Sequence, residues 1–202
     1  MKKLIVITTP DFFPGEGEIL TNLFVEGMNR LHLRKPDCRQ EDMEMLLKEI
    51  PAAFYPRIVL HDCFGIVDNG NPLNIGGVHL NKRNNIVPDG FKGSISRSCH
   101  NMQEIAEGNR FDYQFLSPVF ESISKEGYGK GFSADELRKA SNAGLINDKV
   151  IALGGISTTT IPQLKDIKFG GIAVLGALWG KTPSINEQNN IIRQFKLLRS
   201  CV

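Results

Sequence analysis

"KVIALGGISTTTIPQLKDIKFGGIAVLGALWG", residues 149–180, decides how the rest of the chain is read. It holds two short apolar runs, "KVIALGGI" (149–156) and "GIAVLGAL" (171–178), separated by a segment, Thr158 to Phe169, that is a candidate helix. Runs of this length, rich in Val, Ile and Leu and ending in glycine, are strands. A strand, a helix and a second strand make a parallel right-handed crossover. The glycines after each run, "LGGIS" (153–157) and "LGALWG" (175–180), expose backbone amides. Close strand–helix packing also uses glycine. Its appearance in both turns favours a phosphate site, provided these are the last two strands of a barrel.

Working outward, six more such runs precede them: "KLIVITTP" (3–10), "RLHLRK" (30–35), "RIVLHD" (57–62), "GGVHLN" (76–81), "GSISRS" (93–98) and "DYQFLSPV" (112–119). Helical patterns lie between: "GEILTNLFVEGM", "RQEDMEMLLKEI" stopped by Pro51, "SADELRKASNAGL" opened by a Ser133–Glu136 capping box, and a tail from Ser184 to Ser200. The fold class expected is α/β, a compact (β/α)8 TIM barrel formed by residues 1–202 as one domain. The helices after strands 3 and 4 are expected to be thin or missing, because 63–75 offers one short helix and 82–92 little or none. An open doubly wound sheet is the alternative, but it more often has five or six strands.

Bulk composition narrows the function. Charged residues make up 23% and net charge is +2, which excludes an extended nucleic-acid or membrane surface but allows a local basic pocket. The four cysteines form no CxxC pair and match no zinc spacing, so they are expected to be reduced thiols of a cytoplasmic protein. "MKKLIVITTP" is too short an apolar run for a signal peptide.

Chemistry in such barrels collects where the strands end. Period-2 alternation in Leu31-His32-Leu33-Arg34 turns His32 and Arg34 toward the barrel mouth. His61-Asp62 end strand 3, His79 lies on strand 4, and Ser96-Arg97-Ser98 end strand 5, with His100 beyond. A buried guanidinium needs an anion, so Arg34 either binds a ligand or pairs with Asp62. After strand 6, "ESISKEGYGKGF" (121–132) combines Ser122, Ser124, Lys125 and Lys130 with three glycines. All are donors suited to an oxyanion.

The ordered set "LHLRK", "VLHD", "GGVHL", "SRSCH", "DYQFLSPVFESISK", "IALGGI" and "GIAVLGAL" resembles the thiamine phosphate synthase and thiazole tautomerase family over nearly the whole chain. The resemblance implies a transferase of thiamine biosynthesis. Its substrates are an aminopyrimidine diphosphate and a thiazole phosphate, joined with loss of pyrophosphate and assisted by Mg²⁺. It assigns Arg34 to the diphosphate, Asp62 to the metal and Ser122, Ser124 and Lys125 to a pyrophosphate clamp. Ser98 falls near the pyrimidine, and Gly155, Gly176 and Ala177 fall at the thiazole phosphate. His32 and His61, where synthases usually present Gln and Asn, join the substrate-binding set.

Some positions depart from the synthase pattern. Pro36 stands where a lysine is expected, and Lys35 should face the other way. Arg83 stands near the place of the second metal-binding aspartate, where a guanidinium would replace charge brought by the metal. The resemblance therefore leaves two further readings. One is a thiazole tautomerase, an isomerase, although Pro118 occupies the place of its histidine; His32, His61 or His100 would then move the proton. The other is a non-catalytic binder of thiamine-related phosphates. Whether the chain forms a homo-oligomer is left open.

Overall fold

The structure, a computed structural model, describes residues 3–108, 110–120 and 131–202. Each apolar run yields a strand: β1 (Lys3–Ile7), β2 (Arg30–Leu33), β3 (Ile58–Leu60), β4 (Gly77–Leu80), β5 (Ser94–Cys99), β6 (Tyr113–Leu116), β7 (Val150–Ala152) and β8 (Gly171–Val174). Neighbours in sequence pair in parallel, and β1 closes on β8 through Lys3↔Gly171 to Val6↔Val174. The ring is a (β/α)8 barrel. Because every pair is parallel, all eight C-terminal ends lie at one pole.

Alternation along the strands sets what each layer contains. Leu4 and Val6, Leu31 and Leu33, Ile58 and Leu60, and Ile172 and Val174 join the outer core beneath the helices. Their neighbours fill the barrel. Ile5, Ile7, Tyr113, Phe115, Ile151 and Ala173 form an apolar half. Opposite them, His32, His79 and Ser96 are buried as a polar half.

The covering helices are α1 (Glu16–Val25), α2 (Gln40–Lys48), α3 (Met102–Ala106), α4 (Ala134–Asn142), α5 (Gly176–Trp179) and α6 (Gln188–Ser200). The capping box is present: Ser133 accepts from the Glu136 amide while Glu136 reaches back to the Ser133 N–H. After β3 there is only a 3-10 turn, Phe64–Val67, and among the described residues no helix stands between β4 and β5. Thr158 to Phe169 does not form the expected helix; a single 3-10 turn, Ile161–Leu164, replaces it. The threonines there are poor helix formers and Pro162 supplies no N–H. No helix of the described residues is long and apolar enough to cross a membrane.

Candidate active site

The polar half of the barrel is a connected network. His32 Nδ1 lies 2.7 Å from His61 Nε2, and His32 Nε2 lies 2.7 Å from the Tyr113 hydroxyl. His79 bonds Ser96 through Nδ1 and Ser98 through Nε2, both at 2.9 Å. Ser96 Oγ donates to the Val78 carbonyl. This assigns the His79 proton to Nδ1 and leaves Nε2 to accept from the Ser98 hydroxyl. Burial holds all three imidazoles neutral: His32 and His61 fall well below the ordinary histidine range and His79 is pushed down to about 3.

Ligand atoms of His32, His61 and His79 lie within 4.8 Å of one another, close enough to suggest a metal. Their geometry argues for a hydrogen-bonded stack instead. The rings of His61 and His79 are stacked 4.1 Å apart at 17°. A metal held by both would have to lie in two nearly parallel ring planes, which do not meet near the rings. His32 is completely buried, one layer deeper than His61, and both its nitrogens are already partnered.

Above this stack sits a charged cluster. Asp62 does not pair with Arg34, as one sequence expectation had it; its partner is Arg83. Arg83 Nη2 donates to Asp62 Oδ1 at 2.9 Å and Nε at 3.3 Å, and Asn84 Nδ2 adds a third bond at 3.2 Å. Asp62 Oδ2 is buried with no partner among the described residues. Arg34, half-buried at the end of β2, forms no ion pair among the described residues, and its charge helps depress His61 and His79. Lys35 does turn away, as expected: its ammonium is buried on both oxygens of Glu16 at 2.7 Å and on the Asp11 carbonyl. Desolvation outweighs the mutual attraction, pushing Glu16 up and Lys35 down.

The turns after β7 and β8 reach the same pole. Gly154 and Gly155 adopt φ of +94° and +64°. At Gly154 a Cβ would lie 2.8 Å from Pro118, so only glycine fits. Thr160 Oγ donates to the Gly155 carbonyl at 2.8 Å and braces the turn. Gly176 and Ala177 open α5, where first-turn amides have no acceptor within the helix. A side chain at Gly176 would meet nothing within 4 Å.

Arg34, Asp62, Ser98, Gly155, Gly176 and Ala177 thus share one end of the barrel, with His61 just beneath. Ser122, Ser124 and Lys125 lie outside the described residues. His100 is exposed, with Nδ1 on the Ser117 carbonyl. Three features were missed from sequence. Tyr113 anchors His32 from across the barrel. Asn81 and Asn84 brace the Arg83 loop; their Asn-x-x-Asn spacing just past a strand was the available signal. Cys38 and Cys63, which are 25 residues apart in sequence, bring their sulfurs to 3.4 Å. Burial raises both thiols, Cys63 to about 12, so they remain protonated.

Comparison with known proteins gives a consistent result. The profile described as thiamine monophosphate synthase matches residues 4–178. Thiamine-phosphate synthase of Clostridium tetani is 23% identical over 190 residues, covering 88% of each chain. The crystal structure of thiamine phosphate pyrophosphorylase from Bacteroides thetaiotaomicron superposes with a TM-score of 0.87 at 40% identity, covering 98% of this chain and 96% of that one. The corresponding protein of Pyrococcus furiosus, at 19% identity, shares the fold with a TM-score of 0.73 over 100% of this chain and 97% of its own.

Proposed function

The chain belongs to the thiamine monophosphate synthase family, and from that membership we propose that it joins an aminopyrimidine diphosphate to a thiazole phosphate. In this reaction the carbon–oxygen bond to the diphosphate breaks and its electron pair leaves with pyrophosphate. The thiazole nitrogen then donates its lone pair to the exposed carbon, forming the new carbon–nitrogen bond. Such chemistry asks for little acid–base catalysis and much stabilisation of a departing anion.

One observation carries this reading. Two guanidiniums, Arg34 and Arg83, and a carboxylate with one oxygen unpartnered among the described residues stand at the same pole as the turns of Gly155 and Gly176. Two anionic groups can therefore meet across one mouth. Arg34 is assigned to the diphosphate. The amides of Gly155, Gly176 and Ala177 are assigned to the thiazole phosphate. Ser98, with its proton given to His79, offers only an acceptor, which suits the amino group of the pyrimidine. His61 shapes the floor, and His32, held by Tyr113, fixes His61. Ser122, Ser124 and Lys125 complete the pyrophosphate clamp in this proposal.

Asp62 Oδ2 fits a magnesium ion, since a buried carboxylate oxygen without a donor calls for a cation. Magnesium binds through one or two carboxylates plus substrate phosphates. When bound, it would supply charge neutralisation for the leaving pyrophosphate. A cytoplasmic location belongs to the same reading, supported by four cysteines that are all free.

The test is turnover. Purified protein given both substrates is expected to form thiamine phosphate and pyrophosphate in equal amounts. Isomerisation of a carboxythiazole phosphate without coupling would support the tautomerase instead, and tight phosphate binding with neither reaction would support a binder.

A further inference from the structure

Residues 81–84 form a tightly hydrogen-bonded loop that carries one guanidinium. Asn81 Oδ1 accepts from the backbone N–H groups of Arg83 (2.9 Å) and Asn84 (3.1 Å). The side-chain amides of Asn81 and Asn84 both donate to the His61 carbonyl, at 2.8 and 3.2 Å. The loop after β4 is thereby stapled to the end of β3. Arg83 projects from it onto Asp62, using Nη2 and Nε. The rest of its guanidinium stays available: the side chain is 40% exposed, against 7% for Asp62.

Resting on the synthase reading, we propose that Arg83 binds the diphosphate directly. Its pairing with Asp62 also reduces the metal site to one carboxylate oxygen, so that divalent metal enters only together with the diphosphate. The reasons are electrostatic. An Asp–Arg pair is neutral and attracts a free divalent cation weakly. Its one uncommitted oxygen, Asp62 Oδ2, is buried and faces no donor among the described residues. A diphosphate bridging the outer edge of Arg83 and Arg34 would bring the missing negative charge and the missing metal ligands at once. Arg83 thus supplies fixed positive charge where a second carboxylate would recruit it from solution.

Two titrations of the full-length protein test this. Inorganic pyrophosphate, titrated calorimetrically in EDTA, is expected to bind the wild type. Arg83→Gln should weaken that binding about tenfold or more, and Arg83→Lys should retain part of it. Mn²⁺ alone, followed by electron paramagnetic resonance, is expected to bind the wild type weakly. It should bind Arg83→Gln at least several-fold more tightly, because Asp62 is released. Thermal melts confirm that both variants fold; a guanidinium serving only as a structural tie would lower Tm and leave pyrophosphate affinity unchanged. Unchanged pyrophosphate affinity in EDTA, no pyrophosphate binding in the wild type, or unchanged Mn²⁺ affinity overturns the proposal. Failure of the synthase reading is separate: it would show as Arg83-dependent pyrophosphate binding with no thiamine phosphate formed.

Discussion

Asp62 and His79 show how single side chains in this barrel are set by their surroundings. One Asp62 oxygen is saturated by Arg83 and Asn84 while the other is buried with nothing among the described residues to accept from. Leaving it so costs about 1–3 kcal/mol, the kind of deficit found at functional sites. Arg34 stands near with no acidic partner among the described residues. Arg34→Gln is expected to lower kcat/KM about a hundredfold or more, with little change in Tm, in steady-state assays of coupling. His79 allows a pH prediction. Its folded pKa of about 3 lies below the unfolded value of about 6.5, so the unfolded chain binds the extra proton. The stability it contributes is complete above about pH 6.5 and is lost as pH falls toward 3. Unfolding free energies from urea titrations should stay level from pH 7.5 to about 6.5 and then fall toward pH 5, by up to roughly 1.4 kcal/mol per pH unit for this histidine. A flat profile would mean that His79 is not held neutral. Period-2 alternation put His32 on the inward face from sequence but at the mouth beside Arg34, whereas it lies a layer deeper, completely buried with both nitrogens bonded. The partners that fix the tautomers, Ser96, Ser98 and Tyr113, come from other strands, so no local pattern announced them.

At the scale of elements, the turns and caps hold the site in place. Lys35, next to Arg34, is drawn under α1 by Glu16, with the two side chains 0% and 1% exposed. Removing one partner leaves a buried charge, so Lys35→Met is expected to cost about 3–5 kcal/mol in urea unfolding, and adding Glu16→Leu should recover much of it. Equal losses for the single and double variants would refute the buried pair. The Gly154–Gly155 turn is equally constrained. Gly154→Ala meets both an unfavourable φ of +94° and a Cβ contact of 2.8 Å with Pro118. A visible drop in Tm and weakened binding of the thiazole phosphate are expected together. Sequence reading found both glycine turns and the α4 capping box because each depends on residues a few positions apart. It failed between β7 and β8, where apolar spacing suggested a helix but the threonines and Pro162 permit one 3-10 turn. It also missed α3, whose five residues are too few to show a period.

For the whole molecule, the decisive property is that every strand points the same way. Eight parallel strands in sequential order put residues from β2, β3, β5, β7 and β8 around one mouth, although up to 143 positions separate them, from Arg34 to Ala177. That topology was legible in the recurrence of apolar runs. The thin wall after β3 and β4 was legible in the shortage of helix-forming sequence there. The pairing of Asp62 with Arg83 was not, since Arg34 and Arg83 are equally plausible partners until the loop after β4 is seen stapled to β3. The most direct test is a crystal structure of the protein grown with thiamine phosphate, pyrophosphate and Mg²⁺. Pyrophosphate should lie against Arg34, Arg83 and Asp62, and the phosphate of thiamine phosphate against the amides of Gly155, Gly176 and Ala177. Density for either group at the opposite end of the barrel, or on its outer face, would contradict the account.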